Sequence, residues 1–286
     1  MIDAFSQEEA LSTAPSHTPS TPVLRIADLL SAPARCPTRI AEILPSPLAR
    51  GARAGVSAAG SLRLSLADFA GPESPTTGRH PLPDHASLVA TLAAAGISPG
   101  TTLVLAPTTP DAFSIAARGW VTLRWAGVGN VIVLADSPSI GFEAQLEALI
   151  AWAAASGVDD NPTPFRQNNT GVTDAAGVSR REKDVVLIDA RSPDAFGGAD
   201  AHIAGSVNLP TATLLEAGAL TDTDELHRVY REILDLDPGA QPLVVSCGSG
   251  ISASVQALAL AQAGISAPVY IGSWSEWSKR RTALAV

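Results

Sequence analysis

Cysteine is scarce in this chain of 286 residues: there are two, Cys36 and Cys247. They make no disulfide framework and show no metal-ligand spacing, so no metal is expected and a functional cysteine here works as a thiol. Long apolar runs are missing as well. The longest uncharged apolar stretch, Ala148 to Val158, is interrupted by Ser156 and Gly157 and falls short of the roughly 20 residues that a membrane-spanning helix needs. No membrane partner is expected. The N-terminus opens Met1-Ile2-Asp3 and carries Glu8 and Glu9, without the basic start and apolar stretch of an export signal, which makes a cytoplasmic location the expectation. Positive charge is also in deficit, with 19 Lys and Arg against 28 Asp and Glu and a formal net charge of −9. Such a charge repels phosphate backbones, and no basic run is interleaved with aromatic residues, so nucleic acid is excluded as an expected partner.

What the chain does have is apolar content, 46% of residues against 16% charged, which places it among globular proteins. Its length predicts two domains of similar size. Residues 1–21, rich in Ser, Thr and Pro, read as a disordered tail. Residues 22–158 read as an N-terminal domain, 159–182 as a linker on account of Asn161-Pro162, Asn168-Asn169 and Arg180-Arg181, and 183–286 as a C-terminal domain.

The two domains repeat one pattern. In the first, Thr102 to Ala106 is a buried-strand run, Phe113 to Trp125 has helical spacing, Ala126-Gly127 stops the helix, and Val131 to Leu134 is the next strand. In the second, Pro242 to Ser246 is the strand, Ile251 to Gln262 the helix, Ala263-Gly264 the stop, and Val269 to Ile271 the next strand. Strand, helix and strand in this order imply parallel pairing, so the fold class is α/β: tandem domains, each a small parallel sheet with helices on both faces.

The segment that carries chemistry is Val245-Ser246-Cys247-Gly248-Ser249-Gly250-Ile251-Ser252-Ala253. It sets Cys247 at the C-terminal end of a strand and the start of a helix, where open α/β sheets bind ligands. Free N–H groups and the positive end of the helix dipole favour a thiolate there. Gly248 and Gly250 let the backbone curl into a nest of amides that suits a negative charge. Cys36, in Ala34-Arg35-Cys36-Pro37, has no strand before it and reads as inert.

These residues resemble a known family. CGSGIS, residues 247–252, is similar to the active-site loop of the mercaptopyruvate branch of the rhodanese sulfurtransferases. Val185 to Pro210 resembles the family's strand, Asp-x-Arg turn and His-Ile-x-Gly segment, and Gly272-Ser273-Trp274-Ser275-Glu276-Trp277 resembles its domain ending. More weakly, Gly78-Arg79-His80-Pro81-Leu82-Pro83 and Ala116 to Gly127 are similar to the first, non-catalytic domain of two-domain members. There Pro107 stands where the second half has Cys247.

The resemblance implies tandem rhodanese-like domains and a sulfurtransferase without cofactor. Cys247 would be the nucleophile, the loop residues Gly248, Ser249, Gly250, Ile251, Ser252 and Ala253 would cradle the donor, and Arg191 would face the donor's charge. A small donor, 3-mercaptopyruvate rather than thiosulfate, would leave its sulfur as a Cys247 persulfide. A thiol acceptor such as a thioredoxin-like protein, or cyanide, would remove it. Ser249 matches a serine proposed to assist proton transfer together with an aspartate of the first domain, yet Ala54 to Leu64 contains no acid. The mercaptopyruvate branch carries a substrate-binding arginine where this chain has Ala195, and Phe196 to His202 contains Asp200 but no arginine. Weak activity on both donors is therefore expected.

Rival readings stand beside this one. Gly248-x-Gly250-x-x-Ala253 fits a dinucleotide fingerprint, but the strand ending Val269-Tyr270-Ile271-Gly272 lacks the required acid. A Cys-loop phosphatase would need an arginine at Ala253 to hold phosphate. A non-catalytic sulfur carrier or regulatory protein would keep the fold and lose turnover. Arg191 either binds the donor or holds the domain through a carboxylate. His202 reads as structural, Trp274 and Trp277 either line the site or pack the core, and Arg118 or Arg124 could reach in from the first domain.

Overall fold

The computed structural model describes residues 21–34, 36–45, 55–56, 60–136, 141–160, 162–198, 201–216, 218–234 and 241–284. The expected N-terminal tail, apart from Thr21, and Asp200 lie outside them.

The first unit contains β1 (Val23–Leu24), α1 (Ile26–Leu30), β2 (Thr38–Ile43), β3 (Gly55–Val56), β4 (Leu62–Leu64), α2 (His85–Ala94), β5 (Thr102–Pro107), α3 (Ala112–Ala126), β6 (Asn130–Leu134) and α4 (Phe142–Ala154). Its six-stranded sheet has the order β1-β6-β5-β2-β4-β3. Pairing is parallel except for the edge pair β3 with β4. The central strands β5 and β6 are buried on both faces, as a sheet covered on both sides requires. Ile40, Val104, Ala106, Ile132 and Leu134 share a core with Phe142, Leu146 and Leu149 of α4. Their alternate neighbours Ala41, Ile43, Leu103, Leu105, Val131 and Val133 pack with α2 and α3.

The second unit contains β7 (Val172–Thr173), α5 (Ala175–Ser179), β8 (Val186–Asp189), α6 (Pro193–Phe196), β9 (Ser206–Asn208), β10 (Leu215–Glu216), β11 (Ala219–Leu220), α7 (Thr223–Leu234), β12 (Leu243–Ser246), α8 (Ile251–Gln262), β13 (Val269–Tyr270) and α9 (Ser273–Leu284). A five-stranded parallel sheet has the order β7-β13-β12-β8-β9, and β10 and β11 form a separate antiparallel pair. Within the stretch 159–182, the structure forms β7 and α5, and β7 is the edge strand of this second sheet.

The two units share one hydrophobic core. Helix α3 packs on α8 between the sheets, and both are rich in alanine, which lets backbones approach closely. Almost every α3 side chain is buried, Arg118 included. Beyond this layer, Lys279 Nζ of α9 reaches the carboxylate of Glu73 at 2.6 Å and donates to the carbonyls of Ser74 at 3.1 Å and Thr77 at 2.9 Å. A Cβ on Gly78 would lie 2.6 Å from the Gly272 carbonyl oxygen, so the segment 77–80 can lie against the start of α9 only with glycine there. Among the described residues no helix is long and apolar enough to cross a membrane.

Candidate active site

Strand β12 delivers Cys247 to the seam. Its last residue, Ser246, pairs with Asp189 at the end of β8, and the chain then turns through Gly248, Ser249 and Gly250 into α8. Gly250 is the N-cap of α8 at φ +85°, a left-handed conformation that glycine adopts without a Cβ penalty. A Cβ there would lie 2.6 Å from the Ile271 carbonyl oxygen and 2.7 Å from Nη1 of Arg118. In this conformation the Gly250 amide donates to Cys247 Sγ at 3.1 Å. Cys247 is a free thiol and is 2% exposed. Ile251, Ser252 and Ala253 form the first turn of α8, so the dipole end of the helix faces the sulfur. Ser249 is 8% exposed.

The start of α9 closes the loop from the other side. Ser273 Oγ accepts from the Cys247 amide at 3.1 Å, donates to the Tyr270 carbonyl at 2.8 Å and lies 3.9 Å from Cys247 Sγ. Trp274 and Ser275 donate their amides to the carbonyls of Cys247 and Gly248, both at 2.9 Å. Sequence reasoning quotes Ser273 as part of a domain ending and misses its contact with the nucleophile.

Arg191 follows β8 beside the loop, its Cδ 3.9 Å from where a Cβ on Gly248 would sit. Its Nε donates to both carboxylate oxygens of Asp189, at 2.9 and 3.1 Å, and its Nη2 to Asp189 at 2.7 Å and to the Ala201 carbonyl at 2.9 Å. Asp189 is 1% exposed, so this is a buried, bidentate ion pair. Trp274 stacks on the guanidinium at 5.3 Å. Of the two roles open to Arg191, this geometry favours holding the domain through a carboxylate. His202 Nδ1 donates to the Phe196 carbonyl at 2.9 Å, and its ring stacks on that of Phe196. Trp277 packs edge-on against Tyr270.

The first unit contributes two guanidinium groups to the loop. Arg79 is exposed, its amide donates to Ser275 Oγ at 3.0 Å, and its Nη2 lies 3.1 Å from the position of a Gly248 Cβ. Arg118 lies beneath, fully buried. His80, next to Arg79, is held below the ordinary histidine range by burial first, then by Arg118 and Arg79. Arg124 does not join them. It stacks 4.6 Å over Trp120 and lines a separate cleft of about 270 Å³ with Asn168, Ala257 and Ala261, at the other end of α3 and α8. Arg79 stands in the Gly78 to Pro83 segment, whose sequence marks a resemblance but gives this residue no role. Among the described residues no three His, Cys, Asp or Glu side chains gather as a metal site would require.

Comparison with known proteins places this chain in a family. Residues 175–280 match the family model of the rhodanese-like domain. Over 224 residues the chain is 34% identical to a Mycobacterium tuberculosis protein named as a thiosulfate sulfurtransferase, SseB, covering 72% of this chain and 74% of that one. A Pseudomonas aeruginosa protein named as a 3-mercaptopyruvate sulfurtransferase is 33% identical over 220 residues, covering 70% and 73%. Among solved structures, a 3-mercaptopyruvate sulfurtransferase of Escherichia coli shares the fold, with a TM-score of 0.63 at 23% identity over 90% of this chain and all of that one. The chain belongs to the rhodanese-like sulfurtransferases.

Proposed function

We propose that this protein moves a sulfane sulfur from a small anionic donor to a thiol acceptor through a Cys247 persulfide. One observation carries the reading: the Cys247 sulfur accepts the Gly250 amide at 3.1 Å in a loop that meets two guanidinium groups of the other unit. A thiolate is the nucleophilic form of cysteine, and amides and cations aimed at it favour that form.

With 3-mercaptopyruvate as donor, the thiolate attacks the thiol sulfur. The new S–S bond forms as the donor's C–S bond breaks, and the bonding pair leaves on carbon as an enolate that takes a proton to become pyruvate. With thiosulfate, the pair of the broken S–S bond leaves on sulfite. Either donor leaves a Cys247 persulfide, whose outer sulfur an acceptor thiol, such as that of a thioredoxin-like protein, or cyanide attacks to restore the thiolate. The transfer itself needs no metal or organic cofactor. Ser249 and the first turn of α8 line the donor's path, and Arg79 meets the donor's negative group in place of the arginine missing at Ala195. Arg191 holds the loop from behind through Asp189.

Turnover decides between this and a sulfur carrier of the same fold. Release of pyruvate or sulfite in excess of enzyme, with a thiol acceptor present, supports the enzyme. A single equivalent released with no recycling supports the carrier.

A further inference from the structure

Arg118 is 0% exposed, and no carboxylate pairs with it among the described ion pairs. Its Nε donates to the Phe69 carbonyl at 3.4 Å. Its Nη2 is shared among the carbonyls of Phe69 at 3.3 Å, His80 at 2.9 Å and Pro81 at 3.3 Å. Nη1 is buried with no hydrogen-bond partner, and it is the atom that lies 2.7 Å from where a Gly250 Cβ would be. Gly250 is the residue whose amide holds Cys247 Sγ.

Carbonyl dipoles solvate a guanidinium without neutralising it, and a buried cation with no counter-charge is costly. The loop around the sulfur has few candidates for that counter-charge. Arg79 is a second cation, Arg191 is paired with Asp189, His80 is held below the ordinary histidine range by burial and by the two arginines and offers no negative charge, and Glu276 of α9 pairs with Arg280. What Nη1 lies against is the Gly250 turn, whose amide donates to the Cys247 sulfur.

We propose that Arg118 of the first unit is the counter-charge of the Cys247 sulfur of the second, a positioning residue that stabilises the thiolate and the persulfide anion across the seam. The half of the chain without a nucleophile thereby supplies part of the active site's electrostatics. Burial pushes Arg118 down to about 10, so it stays cationic at neutral pH, and a negative charge on Cys247 would push it back up. This inference deepens the sulfurtransferase reading and rests on it for its purpose, but its tests need no sulfur donor.

The first test is the rate of Cys247 alkylation by iodoacetamide against pH in wild type, Arg118→Met and Arg118→Lys, each checked for folding by circular dichroism. Because alkylation follows the thiolate population, Arg118→Met should react about tenfold more slowly at pH 7 and regain the wild-type rate in alkaline solution. Arg118→Lys should lie between the two. A folded Arg118→Met with an unchanged profile and only a lowered Tm would show that Arg118 merely holds the Phe69, His80 and Pro81 carbonyls, and would overturn the proposal. The second test covers the case in which Arg118→Met does not fold. If the native state favours the thiolate, it releases the thiol proton more readily than the unfolded chain, so wild type gains stability over Cys247→Ser as pH rises. A Tm difference between these two that is flat from pH 5 to 9 would overturn the proposal. If Arg118→Met slows alkylation as expected yet wild type transfers no sulfur, the counter-charge stands and the sulfurtransferase reading fails.

Discussion

The amide of Cys247 donates to Ser273 Oγ at 3.1 Å, and Ser273 is the one non-glycine residue with positive φ, 51°, among the described residues. A non-glycine residue in the left-handed region costs roughly 1–2 kcal/mol. That cost is borne at the residue that satisfies the backbone of the nucleophile and sits 3.9 Å from its sulfur.

Ser273→Gly separates strain from function. Glycine relieves the left-handed φ while leaving the Cys247 amide without its acceptor, two effects of about 1–2 kcal/mol and opposite sign. The expected outcome is a Tm within a few degrees of wild type and sulfur transfer reduced about tenfold. Thermal unfolding beside steady-state kinetics checks it, and unchanged activity would make Ser273 a matter of packing alone.

Arg79 and Arg191 should part company in the same assay. Arg79 is exposed with Nη2 over Gly248, so Arg79→Ala should leave Tm unchanged and raise the KM for an anionic donor about tenfold. Arg191→Ala removes the partner of Asp189, which is 1% exposed. A buried carboxylate left alone costs about 3–5 kcal/mol, and the loss should appear first as a lowered Tm. An unmoved KM in Arg79→Ala would transfer the donor's anion to another group.

Gly250→Ala should abolish transfer. The new methyl would need a left-handed φ of 85° and would meet the Ile271 carbonyl oxygen at 2.6 Å, forcing the loop that holds the sulfur to shift. Alkylation of Cys247 should slow in parallel; a variant with wild-type rates in both assays would refute this placement of the loop.

His80 predicts an acid sensitivity of the seam. Its imidazole titrates below the ordinary range in the fold because of burial, Arg118 and Arg79. On acidification the unfolded chain therefore takes up the proton first, and stability falls as pH drops through the unfolded histidine's range near 6.5. Tm should decrease between pH 7.5 and 5.5 by more in wild type than in His80→Gln. Equal decreases would clear His80 of the effect.

Much of this was legible in the sequence where local rules decide. Helix α8 spans Ile251–Gln262 as its periodicity predicts, and α3 covers Phe113 to Trp125 with one residue more at each end. Both pairs of flanking strands fall where the apolar runs lie. Cys247 between a strand and a glycine turn followed from residue order alone. What was not legible depends on tertiary packing. A two-residue strand such as Val172–Thr173 has no period to read and exists because β13 offers it an edge. The left-handed Ser273 breaks a backbone preference, so nothing local announces it. The approach of Arg79 and Arg118 to the loop exists only because α3 packs on α8 and Gly78 lies against Gly272.

Whether Cys247 carries the sulfur can be read from the mass of the intact protein after one turnover. Incubated with 3-mercaptopyruvate or thiosulfate and no acceptor, wild type and Cys36→Ser should each gain the mass of a single sulfur atom, lost again on adding a thiol or cyanide. Cys247→Ser should gain none. A sulfur adduct that persists in Cys247→Ser, or that disappears in Cys36→Ser, would contradict the account.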